Sequence, residues 1–238
     1  MLIIKKWFNE FTIFEKSLIG VNILISIIFL VIGNDYIWLK LLGFTSSIST
    51  IIYVVLVAKK KISCFRWGII GSLAYIVVAF KHGNTGEWSF QAFYYLPMIM
   101  LGWYLWAKNK SQDDNSVVLS KKLNLKQSLI IYSSIIIGAV AFAKIISLDS
   151  LNLWLYGQVY QFGFDKYLTD SLASILAIPA MILMVKRYRE QWLMWIVLNI
   201  VNIRLWLFYT PNSLMVLMWT CMLVNSIYGW LKWKKVNN

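Results

Sequence analysis

Trp192, Trp195, Asn199 and Asn202 stand at spacings i, i+3, i+7 and i+10 within the apolar run Gln191 to Tyr209, QWLMWIVLNIVNIRLWLFY. On a helix that spacing gathers all four side chains into one stripe. Two chemistries are open to such a stripe. Indole faces attract a cationic ring through their quadrupole, and side-chain amides both donate and accept hydrogen bonds, which suits hydroxyls and carboxamides. The run is long enough to cross a bilayer at about 1.5 Å per residue. Lipid offers an amide no partner, so Asn199, about halfway along, needs protein, water or a ligand. The competing reading places Trp192 in an aromatic belt at the membrane interface and lets both asparagines bond a neighbouring helix. For Trp192 the two readings stand level. For Asn199, with Trp195 one turn away and Asn202 beside it, ligand contact is the expectation.

Other polar residues in apolar runs could converge on the same cavity: Gln91, Tyr94, Asn225, Tyr53 and Asp170. Arg204 falls within a few residues of a membrane boundary, where a long side chain can snorkel, and reads as structural. Catalytic chemistry finds no footing. His82 is the single histidine and reads as interfacial, and Cys64 and Cys221 form neither a metal spacing nor a disulfide framework. Without an acid/base set, a phosphate loop or a nucleophile signature, neither an enzyme nor a cofactor or metal site is expected.

The elements that must position these residues are membrane spans. The chain has 238 residues, 60% of them hydrophobic and only 14% charged, against about 25% charged in an ordinary soluble domain. The net charge of +13 is carried by short basic clusters between apolar runs. That pattern is a topology signal and does not suggest a nucleic-acid partner. An interfacial amphipathic helix is expected over 1–16, with no cleavable signal peptide. Eight spans follow, from about Ser17, Tyr36, Cys64, Trp88, Gln127, Lys166, Gln191 and Ser213. Ser111 to Lys126 is the candidate mobile linker, and the aromatic-rich stretch 149–165 suits a re-entrant or interfacial segment. With eight spans and the amino terminus cytoplasmic, 18 lysines and arginines fall inside and 5 outside. Seven spans would scramble this split, so both termini are expected inside.

The two halves also rhyme. Lys59-Lys60-Lys61, Trp67 and Phe80 correspond to Lys186-Arg187-Tyr188, Trp195 and Phe208, with 13 positions from each tryptophan to its phenylalanine. Trp106-Ala107-Lys108 matches Trp230-Leu231-Lys232, so the offset runs from about 128 down to about 124. The expected architecture is an all-α polytopic membrane protein. An extra helix (17–35) precedes two parallel three-helix repeats (36–110 and 166–238), joined through 111–165 by a linker helix, with a substrate path between them. No carboxylate is expected at mid-membrane, which favours an uncoupled facilitator over a proton- or sodium-driven carrier.

The run Tyr167 to Lys235, with Asp170, the basic residues Lys186 to Arg189, then Trp192-x-x-Trp195-x-x-x-Asn199 and the closing Tyr228-Gly229-Trp230-x-Lys232, resembles the PnuC family of nicotinamide riboside transporters. Leu96-Pro97 and Trp103-Tyr104-Leu105-Trp106 extend the resemblance into the first half. It implies a homotrimer in the inner membrane, a fold related to the SWEET sugar transporters, and facilitated diffusion of a vitamin that intracellular phosphorylation traps. It also implies Trp192, Trp195 and Asn199 as binding residues. Nicotinamide riboside is cationic and aromatic and so suits tryptophan faces; thiamine shares both properties, and the family's other branches take riboflavin or deoxynucleosides.

Overall fold

The computed structural model describes residues 10–32, 35–81, 85–111, 116–148, 163–209 and 213–234. His82, most of the expected interfacial helix and most of the aromatic stretch lie outside these residues. The helices are α1 (Ile13–Ile32), α2 (Ile37–Ala58), α3 (Cys64–Lys81), α4 (Thr85–Phe90), α5 (Leu96–Lys108), α6 (Leu125–Ile146), α7 (Phe164–Val185), α8 (Gln191–Phe208) and α9 (Ser213–Lys234). A π-helical turn, Gln91–Tyr95, joins α4 to α5, so the described residues form eight rods. Pro97 accounts for that turn: its ring collides with a carbonyl one turn back, and widening the helix relieves the clash. Six helices, α1, α2, α3, α6, α7 and α8, are long and apolar enough to cross a membrane. The exterior agrees, since Leu24, Ile136 and Ile137 are 62%, 64% and 69% exposed, as lipid-facing side chains would be.

Two compact units divide the chain at Leu119 and Ser120. In the first, α1 packs on α2, α2 on α3, and α3 on the rod of α4, the π turn and α5. In the second, α6 packs on α7, α7 on α8, and α8 on α9. The helix expected to link two triplets, α6, is thus a packing member of the second unit. Small side chains permit close approach: the Ser46 hydroxyl donates to the Gly71 carbonyl at 3.1 Å, and Ser171 to that of Ala139 at 2.6 Å.

The first rod starts at Ile13, ahead of the expected Ser17, because Thr12 and Glu15 close a capping box. Thr12 N–H donates to the Glu15 carboxylate at 2.8 Å, and Glu15 N–H to Thr12 Oγ1 at 3.3 Å. Glu15 is fully buried and accepts from Lys59 Nζ at 2.9 Å, a pairing that its place in a charged, amphipathic run concealed. Asn124 and Gln127 cap α6 in the same way.

Both basic turns end their helices by a Schellman motif. After α2, Lys60 N–H donates to Val57 O and Lys61 N–H to Leu56 O, with Lys60 at φ 59°. After α7, Arg187 N–H donates to Met184 O and Tyr188 N–H to Leu183 O, with Arg187 at φ 66°. The expected mobile linker is pinned to these turns wherever it is described. Val118 N–H donates to Lys60 O at 3.2 Å, and Lys121 N–H to Arg187 O at 2.7 Å. Its Val118 and Leu123 are buried, and Leu123 N–H reaches the Glu190 carboxylate at 3.1 Å, so backbone pairing and apolar burial outweigh its polar composition.

Candidate substrate-binding site

Helix α8 carries the polar stripe and lies between α7 and α9. Its buried face comprises Gln191, Trp192, Met194, Leu198, Asn199 and Asn202, while Trp195 is half-buried. The edge of the stripe formed by Trp192 and Asn199 turns to α9. Asn199 Nδ2 donates to Ser226 Oγ at 3.0 Å, and Ser226 in turn donates to Met222 O at 2.9 Å. This partner answers the demand of a mid-helix amide, and it leaves the Asn199 oxygen able to accept from a ligand. Asn202 Nδ2 donates to Leu198 O at 3.0 Å, one turn back on its own helix. Asn225 is buried on α9 next to Ser226.

Trp192 is 2% exposed, and its ring meets Trp233 edge-on at 6.0 Å and 74°. Gly229 makes the space: a Cβ there would lie 2.6 Å from three carbons of the Trp192 six-membered ring. The indole position therefore depends on a glycine one helix away. The sequence contained Gly229 within Tyr228-Gly229-Trp230, yet spacing along a single helix could not disclose what it faces.

Tyr53, Gln91 and Tyr94 belong to the first unit. Gln91, in the π turn, donates through Nε2 to Ser72 Oγ on α3 at 2.7 Å. Tyr94 stacks on Phe90 at 4.9 Å, and Tyr53 lies against Gly68 and tilts onto Phe65 at 6.4 Å. The Phe65 ring meets Trp106 edge-on at 5.0 Å. Of the nine candidates, then, three lie in this unit and six, Asp170 among them, in the second.

Charge is kept to the rod ends. Arg204 Nη2 bonds Tyr209 Oη at 3.3 Å and sits 3.9 Å from Asp165, to whose carboxylate Tyr209 donates. Lys166 pairs with Asp170 at 3.7 Å, and Arg189 with Glu190 at 3.2 Å. A cleft of about 570 Å³ opens beside Lys122, Leu123, Asn124, Leu125, Ser128 and Glu190. The Glu190 carboxylate is already engaged there by Leu123 N–H and Arg189. Among the described residues no cluster of His, Cys, Asp and Glu could hold a metal ion.

Residues 40–235 match the family described as Nicotinamide mononucleotide transporter. The nicotinamide riboside transporter PnuC of Haemophilus influenzae is 33% identical over 200 residues, covering 84% of this chain and 80% of that protein. The same-named proteins of Neisseria mucosa and Escherichia coli are 29% and 24% identical, over 82% and 76% of this chain and 72% and 79% of theirs. A solved structure titled "Crystal structure of the Vitamin B3 transporter PnuC" superposes with a TM-score of 0.69 at 27% identity, covering 94% of this chain and 92% of that one. With its apolar rods and its tryptophan and asparagine stripe, this multi-pass membrane chain belongs to the nicotinamide mononucleotide transporter family, a family of membrane transporters and not of enzymes.

Proposed function

We propose that the protein carries nicotinamide riboside across the inner membrane by facilitated diffusion, and that intracellular phosphorylation of the riboside keeps the gradient inward. The observation that carries this reading is the composition of the stripe: indoles at Trp192 and Trp195 beside the amides of Asn199 and Asn202, with no formal charge among them. Tryptophan faces hold a cationic pyridinium, and the amides suit ribose hydroxyls or a carboxamide. The family description names the mononucleotide, whose phosphate would need buried cations. Arg189 and Arg204 are instead paired with Glu190 and Asp165, and the buried cations Lys60 and Arg187 stand in the turns that end α2 and α7, off the stripe. That favours the riboside, in agreement with the names of the relatives. Carboxylates within the described rods sit toward their ends, which supports transport without ion coupling.

Thiamine is the second reading, since the same indole faces would accept its cationic ring. The two are separated by thermal stabilisation of the purified protein with nicotinamide riboside, nicotinamide mononucleotide, thiamine and riboflavin. The riboside is expected to raise the melting temperature most; a larger shift with thiamine or the mononucleotide would overturn the assignment.

Parallel repeats, both termini in the cytoplasm and a homotrimer complete the proposal. Support for the repeats comes from pairs 127 positions apart, a register that moves the partner of Trp106 from the expected Trp230 to Trp233: Lys60 and Arg187, Phe65 and Trp192, Trp106 and Trp233. The members of each pair play like parts, as left-handed turn residues or as edge-on ring partners. α1 and α6, the extra helix and the linker helix of this reading, both begin with a capping box, at Thr12 and Asn124. Tyr53, Gln91 and Tyr94 in the first repeat and Asn225 in the second are the further candidate substrate contacts. Native mass spectrometry should find three chains, and a reporter fused after Asn238 should read as cytoplasmic; a monomer or an external reporter would refute these parts.

A further inference from the structure

Gln191, the first residue of α8, is fully buried, yet neither its Oε1 nor its Nε2 has a hydrogen-bond partner among the described residues. Orphaning a buried polar group is costly, and an apolar side chain of the same shape would incur none of that cost. Such a residue calls for a partner that the folded chain does not itself provide. The indole N–H of Trp192, the next residue, is likewise buried and unpartnered.

The place of Gln191 on the helix says what that partner is. Gln191, Trp195 and Asn199 stand at i, i+4 and i+8, which separates neighbours by about 6 Å of rise and only about 40° of turn. Read along the helix, the order is amide, aromatic face, amide. Nicotinamide riboside presents the matching order of carboxamide, cationic ring and ribose. With the ring on Trp195 and the ribose at Asn199, the carboxamide falls toward Gln191. A carboxamide and a glutamine amide each carry one acceptor and a donor group, so they can bond at two points. A carboxylate in the same place has no proton to offer Oε1.

We propose that Gln191 is a substrate-binding residue that reads the carboxamide and so sets the preference for the amide over the acid form of the ligand. The assignment rests on the riboside reading above and adds a specificity determinant to that site.

The test measures binding of nicotinamide riboside and of nicotinic acid riboside to wild type and to Gln191→Met, together with the melting temperature of each ligand-free protein. Gln191→Met is expected to weaken riboside binding about tenfold, equivalent to about 1.4 kcal/mol, while acid binding changes little. The ligand-free variant should melt at or above the wild-type temperature, because it loses two orphaned groups. Riboside binding that survives Gln191→Met refutes the assignment alone. Equal losses for both ligands, or a lower ligand-free melting temperature without loss of preference, refute it in favour of a structural role. A wild-type protein that binds neither riboside refutes the transport reading and takes this assignment with it.

Discussion

Adding one methyl group at Gly229 tests whether the indole of Trp192 is held where binding needs it. A Cβ at that position would stand 2.6 Å from Cε2, Cζ2 and Cη2 of Trp192, whereas ordinary contact begins at 3.4 Å. Either the ring retreats by most of an ångström or α9 moves away. The ring is confined, being 2% exposed and edge-on to the buried Trp233. Overpacking of this kind costs about 1–3 kcal/mol. Gly229→Ala should therefore lower the melting temperature and weaken riboside binding. Phenylalanine lacks the outer ring of the indole, so Trp192→Phe should relieve the clash, and the double variant should be less impaired than the two single effects summed, by about 1–2 kcal/mol. The assay is calorimetric binding with parallel melting of all four proteins. Wild-type melting and affinity in Gly229→Ala, or strictly additive effects in the cycle, would refute the reasoning.

Two further perturbations probe the scaffold away from the stripe. Glu15→Gln leaves Lys59 facing a neutral amide in a buried pair whose side chains are 1% and 15% exposed; a loss of about 3 kcal/mol is expected, seen as a lower melting temperature with unchanged ligand affinity. Lys60, 7% exposed, has its amine pushed by burial from 10.5 down to about 8. Between about pH 8 and 10.5 the unfolded chain binds the proton that the folded chain has released, so Lys60 makes stability rise with pH across that window. Below it the buried charge is a full liability. Lys60→Met should melt higher at pH 7 and lose part of the rise toward pH 10; parallel melting curves for both proteins would contradict this.

The sequence made the rods legible because apolar runs of spanning length alternate with basic clusters, and a helix in lipid has few alternatives. The fourth rod was legible as a helix, though its π turn was not, since Pro97 marks a disturbance without specifying how the backbone absorbs it. A carboxylate such as Glu15, in a stretch that reads as an interfacial helix, looks solvated from sequence, and only the fold reveals its pairing with Lys59. Helical spacing brought out Trp192, Trp195, Asn199 and Asn202, because periodicity reports which residues share a face. It could not report that Asn199 meets Ser226 or that Trp192 leans on Gly229, since both contacts lie across helices and depend on register. The burial of Gln191 is hidden from the sequence for a similar reason. A glutamine at the start of a helix looks solvated until its burial is known.

The most direct test is uptake of labelled nicotinamide riboside into liposomes holding the purified protein, with no ion gradient imposed. Wild type should equilibrate the riboside across the membrane, while Trp195→Ala and Asn199→Ala, at unchanged oligomer size, should not. Uptake that requires a proton or sodium gradient, or that persists in both variants, would contradict facilitated diffusion through the stripe on α8.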